Sequence, residues 1–563
     1  MPTHVTPHAP PGRLPPEPKL KRVKKAPGIL ARAKPAARNT LEARGLDAGA
    51  GAAASEPGLA KRKKKTSDVV PRVRIRMYRH GLGDCMLLRF RKDDGEGTYN
   101  VLIDCGLITV SSEPKAKMQR VARDIAAACR DGDRARIDVV VMTHEHWDHV
   151  SGFHPAQAAD LFDQMDIGEV WYAWTEDPRN ELGKRLRAER AEKVQALANA
   201  VAAFGARPGM QGRASELGAM LGFFGIDTAA AGETAGAPIG RTRQAFDYLM
   251  NRQNVRTRYL EPGKAPRSMP GVPGVRVYTF GPPQDEGMIK RSTPTKKGRE
   301  VYELASDQRL AANIGAAFER MGAGAPAPDA SDDDCPFDPI LRRLGSHGSQ
   351  RYSPALDTLV NSVWHAPGQE WRQIETDWTQ AAETLALNLD SHTNNTCLVL
   401  AFEFADTGEV MLFPADAQVG NWLSWQDLRW SVKTATGTQE ITAPDLIART
   451  VFYKVGHHGS HNATLRTLGL EQMTSEDLIA FIPVNKEEAC KNRWMGMPFN
   501  PLVKRLGEKT FGRLLVADQD KPDQDALSKL TPAARKRFSA AVTTPPPSAD
   551  DPDGKLWFEL GFG

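Results

Sequence analysis

The sequence predicts a layered α/β or α+β protein, and two observations carry that prediction. Apolar, β-branched segments with strand-like patterns occur in two blocks, one over residues 72–174 and one over residues 275–516. Segments with helical spacing lie between these strands. Strands towards both ends with helices between them are typical of sheets that pack against helices. The sequence has no internal repeat at periods of about 20–50 residues, so solenoids and propellers are excluded.

The first block begins near residue 70. Residues 72–78 alternate like a strand, residues 81–84 form a turn, and residues 85–90 resume an apolar run. Residues 137–142 are continuously apolar and rich in β-branched side chains, which is typical of a strand buried on both faces. The other elements predicted in this block are strands over 99–103 and 170–174 and helices over 121–130 and 180–204.

The second block supplies the other half of the predicted fold. Residues 205–240 are rich in Gly and Ala and give only a weak indication of secondary structure. Residues 322–336 are predicted to form a flexible loop. We expect one folded domain over residues 69–563 with helical or loop insertions at about 180–270 and 284–390. The elements predicted in this block are strands over 275–280, 396–404, 410–413, 451–455, 478–484 and 513–516, with a helix over 500–506.

Composition excludes several classes of protein. The 563 residues are 40% hydrophobic and 25% charged, which is globular rather than fibrous or fully disordered. No apolar run approaches the roughly 18 residues that cross a bilayer, and no secretory signal lies near Met1. The 6 cysteines form no CxxC pair and indicate reduced thiols. We therefore expect a cytoplasmic protein without a membrane span.

The N-terminal stretch carries a charge of the opposite sign from the rest of the chain. Residues 1–68 hold 15 Lys or Arg against 5 Asp or Glu, a balance of +10, within a total of +5. They contain ten prolines and no aromatic residue, so we expect a disordered basic arm. Such an arm can be a solubilising tail, a tether to nucleic acid or another polyanion, or a targeting signal.

One short segment carries most of the predicted chemistry. Directly after the buried strand over 137–142 come His144, His146, Asp148 and His149. Three imidazoles crowded beside carboxylates are unfavourable unless a cation gathers them. His144 and His146 can point one way while Asp148 and His149 reach a second position, which suits two adjacent metal ions that share a water. Imidazole and carboxylate ligands favour zinc, with manganese or iron acceptable, and two such ions would activate that water as hydroxide.

Two later segments are candidates for completing this site. Asp416 follows the strand over 410–413 and can bridge both ions, while His457 and His458 follow the strand over 451–455 in a glycine-flanked turn. Because each segment lies at a strand end, we expect them to converge on one edge of the sheet. One of the two histidines is expected to bind metal and the other to donate to substrate or support a ligand. We favour His457 as the ligand, and Asp148 and His458 as the catalytic residues.

These residues resemble the metallo-β-lactamase superfamily, whose signature is His-x-His-x-Asp-His, and within it the hydrolase domain of the ComEC-type competence proteins. The resemblance implies a four-layer αββα sandwich with a dinuclear metal site on one edge. It also implies substrate-binding or supporting roles for Asp84, Asp104, Asn394, Asn395 and Ser460. The ordered matches are Gly83-Asp84, Asp104-Cys105-Gly106, the segment 144–149, Asn394-Asn395-Thr396-Cys397, Ala415-Asp416-Ala417 and His457-His458-Gly459-Ser460.

The chain departs from the ComEC-type pattern at several positions. Ala415 replaces the glycine before the bridging aspartate, and Met497 stands where a histidine is expected before Pro498. The membrane channel that accompanies that domain in competence proteins is absent, so DNA uptake is not implied. His392, 24 positions before Asp416, is a further candidate for the separate histidine ligand that many superfamily members have.

Three activities are compatible with this pattern. A nuclease or phosphodiesterase would attack phosphorus with the metal-activated hydroxide, and the basic arm would concentrate a polyanion. A hydrolase of small esters, lactones or phosphocholine-like groups would use a smaller pocket, which tryptophans such as Trp422, Trp425 and Trp430 would line or else pack in the core. A binding module would keep the fold without catalysis. We favour phosphodiester substrates because the resemblance is to the subgroup with paired asparagines.

Overall fold

The structure of this protein is a computed structural model. The predicted arm over 1–68 and most of the predicted insertion over 284–390 lie outside the described residues, as does the loop predicted over 322–336. Among the described helices, none combines the length and apolar character that crossing a bilayer requires. The structure describes residues 70–109, 111–206, 210–226, 240–291, 362, 374–434, 437–462, 464–491, 494, 496–549 and 551–563.

The strands follow the alternating and continuous apolar runs of the sequence. In chain order they are β1 (Val73–Tyr78), β2 (Cys85–Arg91), β3 (Thr98–Cys105), β4 (Arg130–Asp131), β5 (Arg134–Met142), β6 (Met165–Ala173), β7 (Arg256–Leu260), β8 (Arg267–Met269), β9 (Val272–Gly281), β10 (Val399–Phe404), β11 (Val410–Phe413), β12 (Arg429–Thr434), β13 (Gly437–Thr442), β14 (Thr450–Lys454), β15 (Ile479–Ile482), β16 (Leu514–Val516), β17 (Val542–Thr543) and β18 (Trp557–Phe562).

Some of the helices begin at a side-chain cap. The Asn180 side chain accepts from the Gly183 N–H at the start of the long helix that follows it, and Thr442 forms a capping box with Asp445. In chain order the α-helices are α1 (Pro114–Ala128), α2 (Trp147–Val150), α3 (Ala159–Phe162), α4 (Glu181–Gly205), α5 (Gln211–Gly222), α6 (Arg241–Met250), α7 (Glu286–Ile289), α8 (Ile374–Asn394), α9 (Val419–Ser424), α10 (Ala443–Ala448), α11 (Lys486–Lys491), α12 (Asn500–Lys509), α13 (Gln524–Leu527) and α14 (Pro532–Ala541).

Two large mixed sheets organise the described chain. The first has 9 strands in the order β17-β18-β1-β2-β3-β5-β6-β7, with β4 paired to β5. The second has 7 strands in the order β16-β15-β14-β11-β10-β9-β8, while β12 and β13 form a separate hairpin. Strands β3, β5, β6 and β7 run parallel in the first sheet, and β11, β14, β15 and β16 run parallel in the second. Their carboxyl ends therefore lie together within each sheet.

The two sheets pack face to face with helices on both outer sides. Phe90 of β2 and Phe402 of β10 stack between the sheets with ring centroids 5.6 Å apart. On the outside of the first sheet, Leu102 packs in one apolar cluster with residues of α1 and α6. On the outside of the second sheet, Leu412 packs in another with residues of α8, α10 and α12. The predicted αββα architecture is confirmed.

Some elements escaped the sequence patterns. Strand β18 pairs with β1 and lies next to β17 at one edge of the first sheet, although Trp557 and Tyr78 are far apart in the chain. Helix α5 lies within residues 205–240, where the signal was weak, because Ala214, Leu217 and Leu221 bury one face of it. Helix α1 starts before the predicted 121–130, since a proline can occupy the first turn of a helix.

Candidate metal centre

Four strand ends place the candidate site at one edge of the sandwich. Asp104 is the penultimate residue of β3, and the segment after β5 begins at Thr143. In the second sheet, Asp416 follows β11 and His458 follows β14. Hydrogen bonds and ion pairs join the loops of the two sheets, as between His458 and Asp148. The strand ends therefore converge in the structure, as the sequence predicted.

Asp148, His149, Asp416 and His458 form a compact group of potential metal ligands. One donor atom from each lies within 4.8 Å of the others, and all four side chains are buried. Asp416 Oδ2 lies 3.1 Å from His149 Nε2, and Asp148 Oδ2 lies 2.7 Å from His458 Nε2. Two imidazoles and two carboxylates are a donor set that suits zinc and similar divalent ions.

The two histidines of this group are oriented by bonds at their other ring nitrogen. His458 Nδ1 lies 2.7 Å from the Pro483 carbonyl oxygen, which only accepts, so Nδ1 donates the proton. His149 Nδ1 lies 2.8 Å from Asp104 Oδ2 and donates to that carboxylate in the same way. In each ring, Nε2 is therefore the nitrogen that faces the group and the one that would bind an ion after losing its proton. This is the arrangement that metal-binding histidines usually have.

The charge of the cluster also fits a bound cation. Asp84, Asp104, Asp148 and Asp416 are all buried, and Lys454 is the only Lys or Arg of the described chain that forms an ion pair with any of them. Buried carboxylates in excess of cations are strongly unfavourable. Among the described atoms, Asp148 Oδ1, Asp416 Oδ2 and His149 Nε2 have no hydrogen-bond partner. A divalent cation would compensate the charge and satisfy these atoms.

His144 and His146 lie beside this group and face each other. His144 Nε2 is 3.1 Å from His146 Nδ1, and the His144 ring centroid is 4.2 Å from that of His149. Burial lowers the pKa of His146 to about 3, so the ring is neutral and one of its two nitrogens carries a lone pair. Within the described ranges, no compact group of three or more potential ligands includes His144 or His146. Of the two predicted metal positions, one therefore has a compact group of four potential ligands, whereas the position beside His144 and His146 has fewer.

The Gly-Asp and Asp-x-Gly turns hold the Asp148 backbone in place. The Asp84 N–H donates to the Asp148 carbonyl oxygen over 2.9 Å, and the Gly106 N–H donates to the Asp84 carbonyl oxygen over 3.0 Å. Asp104 accepts from the Thr143 N–H at 2.9 Å and from the Thr143 hydroxyl at 2.6 Å. The predicted supporting residues Asp84 and Asp104 thus contact the segment 143–149 directly.

Several backbones at the site adopt left-handed conformations. Asp104, Ala415, His457 and His458 have φ angles of 53°, 52°, 43° and 51°. A side chain at such a φ is unfavourable by roughly 1–2 kcal/mol, and glycine avoids this. The ComEC-type pattern has glycine at the position of Ala415, and glycine would adopt this φ angle without strain. In this chain Ala415 adopts it and carries the strain.

The structure places His458, rather than the favoured His457, in the four-residue group. The two rings diverge because both residues have positive φ angles in a tight turn. His457 Nδ1 lies 2.8 Å from Ser460 Oγ and 3.4 Å from Gln418 Nε2. The His457 N–H donates to Asp416 Oδ1 over 2.9 Å. His457 and Ser460 therefore flank the site.

The paired asparagines and His392 lie further from the ligand group. The Asn395 side chain donates to the carbonyl oxygens of Ile289 and Arg291, so it braces the segment after α7. Asn394 donates to Asp390 Oδ2 over 3.2 Å. His392 belongs to no compact group of three or more potential ligands among the described residues, and its Nδ1 lies 3.5 Å from Lys193 Nζ.

Lys454 is the main site residue that sequence reasoning missed. Its ammonium pairs with Asp84, lies 3.3 Å from Asp416 Oδ1 and donates to the Ala415 carbonyl oxygen over 3.0 Å. Burial lowers the pKa of Lys454, but the charges of Asp84 and Asp416 outweigh burial and raise it above its ordinary value. The feature of the sequence that could have revealed this residue is a lysine at the end of an otherwise apolar strand.

Comparison with known families agrees with this geometry. Residues 79–212 match the metallo-beta-lactamase superfamily. The matched range contains Asp84, Asp104 and the segment 144–149, while Asp416 and His458 lie beyond it. Members of the superfamily typically bind divalent metals and are generally hydrolytic. No curated protein matches the chain.

Proposed function

We propose that the protein is a metal-dependent hydrolase of phosphodiester bonds. The observation that carries the proposal is the buried group of Asp148, His149, Asp416 and His458, whose two carboxylates and two imidazoles bring their donor atoms within 4.8 Å of one another. These four residues would hold one divalent ion. Such an ion supplies Lewis acidity, which stabilises negative charge that develops on a phosphoryl oxygen. Zinc fits the donor set best, and manganese or iron is acceptable.

His144 and His146 would hold a second ion beside the first. The adjacent nitrogens of the two neutral rings support this assignment, and Asp416 is the residue that would bridge to the first ion. Because only these two histidines and the shared Asp416 would hold it, we expect this position to bind its ion more weakly than the four-residue group does.

The neighbouring polar residues have distinct proposed roles. Asp104 orients His149, and the Pro483 carbonyl group orients His458, so both rings are held ready to bind an ion. Asp84 and Lys454 neutralise each other beneath the site. His457, which Ser460 positions at the side of the cluster, is the candidate for proton donation to the leaving oxygen.

Two sequence features support phosphodiesters as the substrate class. The ordered motifs resemble those of ComEC-type hydrolase domains, and the basic residues 1–68 would concentrate a polyanion such as nucleic acid. The alternative for small esters or lactones relied on tryptophans as pocket walls. Trp422, Trp425 and Trp430 are instead buried in the core of the second sheet, while Trp364 and Trp371 lie outside the described residues.

We also propose a reducing compartment, such as the cytoplasm, for this protein. The five cysteines of the described chain are free thiols, and four of them are buried. Free thiols in place of disulfides are the usual state of cysteine in the cytoplasm.

Metal analysis combined with diester hydrolysis tests the proposal. We expect purified protein to carry zinc, manganese or iron and to hydrolyse bis-p-nitrophenyl phosphate. Asp148→Asn should lose both properties, because it removes a charged ligand while keeping the shape of the side chain. Asp406→Asn is the matched control, since Asp406 is exposed and pairs with Arg72 at the surface.

Other results would redirect the proposal. Turnover of a lactone or a phosphomonoester without any diester hydrolysis would show that the substrate class is wrong. Bound metal without turnover of any of these substrates would favour a binding module. Protein that binds no transition metal would contradict the proposed centre itself.

A further inference from the structure

We propose that an aromatic shelf beside the metal centre stacks unpaired nucleobases, so that the substrate is single-stranded nucleic acid. The aromatic shelf consists of two ring pairs on either side of the segment 457–460, Phe223 with Trp494 and Phe499 with His461. This inference rests on the proposed phosphodiester hydrolysis and identifies which diesters the same site accepts.

The inner part of the shelf touches the metal-binding segment. The Phe223 ring centroid lies 5.4 Å from that of His146 and 6.5 Å from that of His457. Phe223 also stacks on Trp494, with centroids 4.6 Å apart and planes only 10° from parallel. Phe223 is buried, while Trp494 is half-buried. A continuous series of rings therefore leads from His146 towards solvent.

The outer part of the shelf is tied to the turn that carries His458. The Phe499 N–H donates to the Gly459 carbonyl oxygen over 2.8 Å, and Gly459 directly follows His458. The Phe499 side chain is 39% exposed, and its ring centroid lies 6.1 Å from that of the exposed His461. Phe499 is therefore exposed, and its backbone is fixed against the turn that carries His458, so its ring is available to a ligand.

The chemistry of these rings favours a base over other groups. Aromatic planes stack on any nucleobase regardless of sequence, because every base has a π-face. A duplex hides those faces within its own stack, so only an unpaired base can use the shelf. With a phosphate at the metal centre, the adjoining base would meet Trp494 or Phe499.

A comparison of substrates with and without bases distinguishes base stacking by Trp494 from a role of Trp494 in packing alone. The probes are a single-stranded oligothymidylate and a strand of equal length in which tetrahydrofuran units replace the nucleosides. For Trp494→Ala we expect kcat/KM on oligothymidylate to fall by about 5- to 150-fold, mainly through KM, as the loss of one stacked base implies. Activity on the abasic strand should be unchanged, and Trp494→Phe should restore most of the loss.

Two further measurements complete the test. Wild-type protein should prefer the single strand to the corresponding duplex. Phe511→Ala is the matched control, since Phe511 is 43% exposed but belongs to no ring contact of the shelf, and it should leave the ratio of the two activities unchanged. Equal losses on both strands in Trp494→Ala would overturn the inference, because they would indicate a packing role.

Failure of this inference is distinguishable from failure of the proposed function. If the wild type cleaves the abasic strand as well as oligothymidylate, diester hydrolysis stands and the shelf is refuted. If no diester is cleaved, the proposed function fails, and fluorescence anisotropy with labelled oligothymidylate decides the shelf. Weaker binding by Trp494→Ala than by wild type would then support base stacking, and equal or absent binding would refute it.

Discussion

Lys454 and Asp84 form an ion pair in which both side chains are fully buried. Asp84 lies in the turn before β2 of the first sheet, and Lys454 is the last residue of β14 in the second. The same ammonium contacts Asp416 Oδ1 at 3.3 Å. One side chain therefore joins loops of both sheets beneath the candidate metal centre, which makes the position of Asp416 depend on Asp84.

Removing this ammonium should destabilise the protein strongly. We expect Lys454→Met to lower the free energy of unfolding by about 3–5 kcal/mol, because it leaves the Asp84 carboxylate buried without a partner. The double variant Lys454→Met with Asp84→Asn should recover a large part of that loss, since the uncompensated charge is gone. Urea denaturation of both variants measures the difference. A single variant as stable as wild type would contradict the assigned pairing.

The close approach of Gly106 to Asp148 gives a second prediction. A β-carbon at residue 106 would lie 2.3 Å from the Asp148 carbonyl carbon. Gly106→Ala must therefore displace the Asp148 backbone, and we expect a loss of about 1–3 kcal/mol in stability together with a lower metal content. Denaturation and elemental analysis check the two effects.

The control for this variant is another glycine in open surroundings. A β-carbon at Gly507, inside α12, would meet no atom within 4 Å. Gly507→Ala should raise stability by about 0.5–1 kcal/mol, because alanine loses less chain entropy in a helix than glycine does. If both substitutions had the same effect, crowding at Gly106 would not be the cause.

Metal removal should destabilise the native state. Because carboxylates outnumber cations in the buried cluster, stripping the protein with a chelator should lower its thermal midpoint, and added zinc should restore it. Differential scanning fluorimetry with and without chelator measures the shift. Asp148→Asn should show a smaller shift than wild type, whereas Asp406→Asn should behave as wild type does. If wild-type protein contains metal and the chelator leaves its thermal midpoint unchanged, the ion does not stabilise the fold.

The basic residues 1–68 should control nonspecific contact with nucleic acid. Deleting them should weaken binding to a DNA strand and make the dependence of affinity on salt concentration shallower, because fewer counterions are released. Replacing the five basic residues 61–65 with glutamine is the matched variant of unchanged length, and it should produce part of the effect. Fluorescence anisotropy across a salt series measures it. Unchanged, salt-insensitive affinity would favour a solubilising tail.

Much of this fold was predictable because its information is local. The strands that form the centres of both sheets bury continuous apolar runs, so their patterns survive in the sequence, as for 137–142 in β5. The cluster from His144 to His149 is similarly local, since its residues share one loop. By contrast, β18 completes the first sheet from the far end of the chain, and such a pairing leaves no local pattern in Trp557 or its neighbours.

The sequence alone determined the layered fold, the metal-competent residue types and their order along the chain, because residue type and spacing carry that information. Tertiary structure decided which atoms meet. The choice between His457 and His458 depends on positive φ angles and on the Pro483 carbonyl group, and the role of Lys454 depends on an aspartate from the other sheet. Contacts between distant segments arise only when packing brings them together, and so no local pattern encodes them.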